Sequence, residues 1–144
     1  PPAAAPPPPI SRADARRLMV ESEGRAGPGT NVGHSGEHVP LNNEDPALLA
    51  QARPTKANTT TYRSASHAER DLRDLLNANR AQIEALPPDA TTTAGGQYTL
   101  QQSRMGFNSE FGATAEPVTF SAVTWRISRL TNGELHLMHF SPRL

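Results

Sequence analysis

Pro117 to Ser141 reads PVTFSAVTWRISRLTNGELHLMHFS. Val, Thr, Phe, Trp and Ile crowd its first half, apolar and polar residues alternate through its second, and Asn132-Gly133 lies between. Branched and aromatic side chains suit a pleated, half-buried surface, and Asn-Gly supplies the positive-φ residues of a two-residue hairpin turn. The stretch is therefore expected to fold as an antiparallel hairpin. With Asn132 and Gly133 as the turn, Leu130 faces Leu135, Ile127 faces Met138, Arg126 faces His139 and Trp125 faces Phe140. Val123, Trp125, Ile127, Met138 and Phe140 then form the expected core face. Thr124, Arg126, Ser128, Leu137, His139 and Ser141 form the other. His136 is expected opposite Arg129 and turned away from His139, because odd spacing in a strand sends side chains to opposite faces.

Upstream of the hairpin, QYTLQQ (97–102) is a further strand candidate, and before Gly95 the pattern is helical. The segment SHAERDLRDLLNANRAQIEALPP carries Ala68, Leu72, Leu75, Leu76, Ile83 and Leu86 at helical spacing, opens with a capping box from Ser66 to Glu69, and stops at Pro87-Pro88. Arg70, Asp71, Arg73, Asp74 and Arg80 are expected on its solvated face. Asp45 and Pro46 give the N-cap and first position of a shorter helix reaching about Arg53. Helices first and strands afterwards predict an α+β fold, with N-terminal helices packed on a C-terminal antiparallel sheet.

The 144 residues suit one domain. PPAAAPPPP at the start reads as extended linker, and Ser11 to Glu23 as a short amphipathic helix set apart by the glycine-rich GRAGPGTNVGHSG. Residues 1–32 are thus expected to be a Pro/Gly-rich linker with a short helix, carried on a longer protein, and residues 33–144 the compact domain. No cysteine is present, so disulfides and thiolate chemistry are excluded. No apolar run is long enough for a membrane span, and no signal peptide is visible. Fourteen Lys and Arg balance 14 Asp and Glu, which argues against indiscriminate nucleic-acid binding. Arg53, Lys56, Arg63, Arg104, Arg126, Arg129 and Arg143 nevertheless fall in acid-poor stretches, as a local basic cleft requires.

His139 beside Arg126 on the open face suits an anionic ligand such as phosphate. Phosphodiester cleavage without a metal needs a base for the ribose 2′-hydroxyl, an acid for the leaving oxygen and a cation for the phosphorane. GHSGEHVPL supplies two more histidines, His34 and His38. The order GHSGEHV, PALLAQAR, TTTYRSASHAERDLRDLLNANRAQI and LHLMHFSP resembles the bacterial ribonuclease A-like toxin domain found at the C-termini of contact-dependent-inhibition and other polymorphic toxins, over about His34 to Pro142. The resemblance implies a ribonuclease A-like fold without disulfides, His38 as the catalytic histidine, and Arg53 or Lys56 as the phosphate-supporting cation. His139 stands where many of these toxins carry threonine. In this respect the terminal strand is closer to vertebrate ribonuclease A, where a catalytic histidine precedes phenylalanine.

The expected catalytic set is thus His38, His139, Arg53 and Lys56. His34, Thr60, Thr61, Thr124, Arg126 and Ser141 are the expected substrate contacts, with no metal and no cofactor. The expected partners are an RNA substrate and an immunity protein in the producing cell, with no membrane. The chain is expected to be a monomer, secreted or delivered into a target cell. Two rival readings stand beside this one. TTTYRSAS is similar to the strand on which ADP-ribosyltransferase toxins hold an NAD-binding arginine, here Arg63, but Glu110 and Glu134 stand alone rather than in the expected paired motif. A non-catalytic module docking through its polar sheet face is the other.

Overall fold

The computed structural model describes residues 8–24, Gly33 and 35–144. Its elements run α1 (Arg12–Ser22), a 3-10 turn (Ser35–Glu37), α2 (Pro46–Gln51), β1 (Thr59–Tyr62), α3 (Ala65–Ala78), α4 (Arg80–Glu84), β2 (Thr93–Ser109), β3 (Glu116–Arg129) and β4 (Leu135–Arg143). The strands form one antiparallel sheet in the order β1-β2-β3-β4. The sheet curls until β1 and β4 approach each other. The fold is α+β, helices before sheet, and without cysteine it has no disulfides.

Apolar spacing explains the packing. Ala68, Leu72, Leu75 and Leu76 of α3 are buried together with Ile83 and Leu86, and they share one core with Val123, Trp125, Ile127, Leu137 and Phe140. The N-cap of α3 is Ser64 rather than the expected Ser66, its hydroxyl accepting from the His67 amide. Asp45 and Pro46 begin α2 as their types dictate, although the helix ends at Gln51, short of Arg53. Asp71 departs from expectation. It stands three residues after Ala68 and four before Leu75, on the margin of the apolar stripe, and it is buried rather than solvated.

Helix α1 is not set apart. Ala15 and Met19 are completely buried in the main core, Asn77 of α3 is hydrogen-bonded to both backbone groups of Ile10, and the Ser22 hydroxyl accepts from the Leu137 amide at 2.9 Å. The compact unit therefore takes in residues placed in the linker by composition. The segments 1–7 and 25–32 of that expected linker lie outside the described residues. Gly33 forms a parallel bridge with Glu23, where a Cβ would collide with the Ser22 carbonyl. Only glycine lets the chain pass so close to α1 on its way to the 3-10 turn.

The hairpin forms, but its turn is one residue longer than Asn-Gly alone implies. Gly133 N–H donates to Leu130 O and Leu130 N–H to Glu134 O, so Thr131, Asn132 and Gly133 make a three-residue loop with Gly133 at φ +90°. This moves the pairing by one: Arg129 faces Leu135, Ser128 faces His136, and Ile127 faces Leu137. A bulge at Met138 then restores the register, with Arg126 facing His139 and Trp125 facing Phe140. Leu137 accordingly belongs to the core, and His136 is fully buried opposite Ser128 rather than opposite Arg129.

Candidate active site

His38 follows the 3-10 turn, and its backbone is gripped on both sides. Its amide donates to Ser35 O at 3.0 Å, and its carbonyl accepts from the Tyr62 amide at 2.8 Å. Its ring Nδ1 is 2.9 Å from the Thr60 carbonyl. A carbonyl only accepts, so Nδ1 carries hydrogen and the neutral imidazole has its lone pair on Nε2. The ring is thereby set as a base with one defined nitrogen.

His139 comes to the same place from β4. Its Nε2 lies 2.7 Å from the Ser141 hydroxyl, two residues along the strand on the same face. The ring centroids of His38 and His139 are 5.9 Å apart with planes inclined by 67°. The bulge at Met138 matters here, because without it the turn's register would set His139 opposite Trp125 rather than Arg126.

Both imidazoles line an open groove of about 770 Å³. Arg53, Lys56, Thr60, Thr124 and Ser141 line it too, so the four expected catalytic residues and three of the six expected substrate contacts converge. Arg53 pairs with Glu37 at 2.7 Å, while Lys56 is exposed at the groove's side. Thr60 donates through its hydroxyl to Asn108 Oδ1 at 2.9 Å, and Asn108 donates in turn to Asn58.

Two expected contacts are elsewhere. Thr61 is completely buried, donating to the Pro46 carbonyl at 2.9 Å, because strand alternation turns it from the Thr60 face toward α2. Arg126 is in register with His139 yet exposed outside the groove, which runs from His139 toward Ser141 and Arg143, away from the hairpin turn. Cationic support for an anion therefore falls to Arg53, Lys56 and Arg143. His34 lies outside the described residues.

Residue types alone did not single out Glu37, Glu23 or Asn58, which also line the groove. Glu37 was discoverable from its place immediately before His38. The transferase rival loses its anchor in this arrangement, since Arg63 lies outside the groove with its guanidinium on the Met105 sulfur at 3.8 Å. Among the described residues no cluster of three or more His, Asp or Glu side chains is placed to hold a metal ion. Nor is any helix among the described residues long and apolar enough to cross a membrane.

Behind the histidines lies a buried polar strut. Tyr62 stacks on Phe140 with centroids 5.7 Å apart and sends its hydroxyl to Asp71 at 2.9 Å. Asp71 also takes a two-pronged bond from Arg104, at 2.9 to 3.2 Å. Burial and the neighbouring Asp71 carboxylate hold the Tyr62 pKa well above the usual tyrosine range, so the phenol stays protonated and donates. Tyr62 thus braces the backbone of His38 through its amide and the residue after His139 through its ring.

No protein-family model, curated protein or solved structure matches this chain. The groove is what speaks to its function.

Proposed function

We propose that this protein is an endoribonuclease that cleaves RNA through a histidine pair, without a metal. The supporting observation is the 5.9 Å separation of His38 and His139 in a groove that also carries Arg53 and Lys56. A phosphodiester held between the rings meets a base on one side and an acid on the other.

In the forward step His38 Nε2 takes the proton of the ribose 2′-hydroxyl, and the 2′-oxygen attacks the adjacent phosphorus. The P–O bond to the 5′-oxygen breaks as protonated His139 delivers a proton to that oxygen. The products are a 2′,3′-cyclic phosphate and a new 5′-hydroxyl, with the two histidines left in exchanged protonation states. With Nε2 of His139 directed at Ser141, Nδ1 is the nitrogen that carries the transferred proton. Lys56 and Arg53 face the phosphorane, whose added charge a fixed cation stabilises more than it does the substrate. The resemblance in the sequence extends the proposal to a toxin of the ribonuclease A-like kind, delivered into a target cell, with an immunity protein in its producer.

Incubation of the purified protein with total RNA in EDTA is the direct test. Loss of intact RNA, with 2′,3′-cyclic phosphate termini and dependence on both His38 and His139, is the expected result. Intact RNA, or cleavage that survives His38→Ala, would overturn the proposal. NAD-dependent labelling of a target protein by the same preparation would select the transferase.

A further inference from the structure

A second cavity, of about 500 Å³, opens between α3, β2 and the start of α1. Arg12, Arg70, Arg73 and Arg104 line it with Asp71, Asp74, Gln101 and Gln102. Four arginines against two aspartates is a local cationic excess in a chain whose formal charge is zero.

The partners of these groups show where that excess is available. Asp71 is committed to Arg104 and Tyr62, and Asp74 to Arg73 at 2.9 Å. Arg12 lies 3.7 Å from Glu69, which it shares with Arg16. Arg70 is exposed and has no ion pair among the described residues. The two carboxylates of the cavity are therefore already neutralised, and Arg70 adds charge that nothing opposes.

The cavity is also built into the fold rather than scattered over the surface. Between Thr99 and Arg104 the β2–β3 register shifts, with Leu100 to Ser103 set against a single residue of β3, Ser121. The bulge turns Leu100 and Arg104 inward, each only 7% exposed, and leaves Gln101 and Gln102 outward at the cavity. Bulges commonly re-aim side chains in this way. The result is a floor in which Arg104 is committed to Asp71, with the more exposed guanidiniums of Arg12 and Arg70 and two amides around it. Planar forks of this kind match phosphate oxygens, and amides suit sugar and base edges. The field is felt nearby: burial lowers the pKa of His67, and Arg104, Arg70 and Arg63 lower it further, against the opposing pull of Asp71.

We infer that this arginine-lined cavity is a second phosphate site, gripping the backbone of single-stranded RNA some nucleotides away from the cleaved bond. The choice of RNA rests on the ribonuclease reading. Tyr62 lies buried between the two places, its backbone on the His38 carbonyl and its hydroxyl on the cavity's Asp71, so a strand that reaches both passes around the surface rather than past Tyr62.

The test compares wild type with Arg70→Glu and Arg70→Ala on a long single-stranded RNA and on a dinucleotide. Binding of the long RNA is measured by fluorescence anisotropy in a His38→Ala background across a salt series. Arg70→Glu should weaken that binding about tenfold and flatten the salt dependence by about 0.7 in log–log slope for each phosphate no longer neutralised. Cleavage of the dinucleotide, too short to reach the cavity, should be unchanged. Unchanged binding of long RNA, or an equal loss on the dinucleotide, would overturn the inference. Arg70-dependent capture of polyglutamate with none of RNA would assign the cavity to an acidic protein and overturn it too. Failure of the ribonuclease reading is separately visible. In that case no RNA is cleaved by wild type, while Arg70-dependent RNA binding in the His38→Ala protein still upholds the backbone site.

Discussion

The groove holding the histidines and the strut behind it use similar residue types to opposite ends. In the groove, His139 is half-buried, Lys56 is exposed, and Arg53 meets Glu37 where both still touch water. In the strut, Asp71 and Arg104 are 3% and 7% exposed and locked to each other and to Tyr62. Charges that remain wet can exchange partners with an incoming phosphate at small cost. Charges that are dry cannot exchange partners without losing several kcal/mol. The groove is therefore the place to change the rate, and the strut the place to change stability.

The sharpest break of this comparison is the histidine pair. His38→Ala and His139→Ala should each lower RNA cleavage by about 10²–10⁴-fold, with the thermal midpoint little changed. The double variant should be scarcely worse than either alone, because the two act in one step. The wild-type pH–rate profile should be bell-shaped and unaffected by chelators, each limb being lost with its histidine. Unfolding on either substitution would move these residues from the groove's side of the comparison to the strut's.

Next in size is the strut. Arg104→Met leaves the Asp71 carboxylate buried with only the Tyr62 hydroxyl, and removing one partner of such a pair costs about 3–5 kcal/mol. Urea unfolding of wild type and variant measures this loss. Tyr62→Phe should cost less, about 1–3 kcal/mol, since Asp71 keeps its Arg104 bonds and only one hydrogen bond disappears. A rate loss in Tyr62→Phe well beyond its stability loss would show that the strut also orients the histidines.

How much of this is legible in the sequence varies with the kind of signal. Periodicity places the core face of α3, and strand chemistry places the hairpin, so the α+β fold can be read directly. The expected pairing of Arg126 with His139 holds through two departures that cancel: a three-residue turn moves the register by one and the Met138 bulge moves it back. Between them His136 and Leu137 depart from expectation, because a bulge has no composition signature when its extra residue is as apolar as its neighbours. The glycines after helix α1 suggest that it stands apart, although Ala15 and Met19 are spaced like a core face. The charge of Asp71 points to solvent, while its spacing from Ala68 and Leu75 puts it at the edge of the core. Arg104, its partner 33 residues away, gives no local sign of the pairing.

The smallest expected effect lies where the strut's field reaches the surface. His67, in the first turn of α3, has a pKa lowered from the ordinary 6.5, first by burial and then by the charge of Arg104, with Arg70 and Arg63 adding to it. With the folded pKa below the unfolded one, the unfolded chain binds more protons in the interval between them. His67 therefore contributes stability that is complete above about 6.5 and lost as the pH falls through the folded value. An NMR titration should place its midpoint below 6.5, and Arg70→Glu should move that midpoint upward by exchanging a repelling charge for an attracting one. Arg53→Ala, on the groove's side, should leave it where it is. His67→Gln should remove the associated slope of stability against pH below neutrality and change nothing at pH values well above it. A midpoint at or above 6.5 would mean that the Asp71 carboxylate outweighs the arginines at this point. The strut would then present a balanced face to its surroundings, and the cationic character assigned to the cavity beside it would have to rest on Arg70 alone.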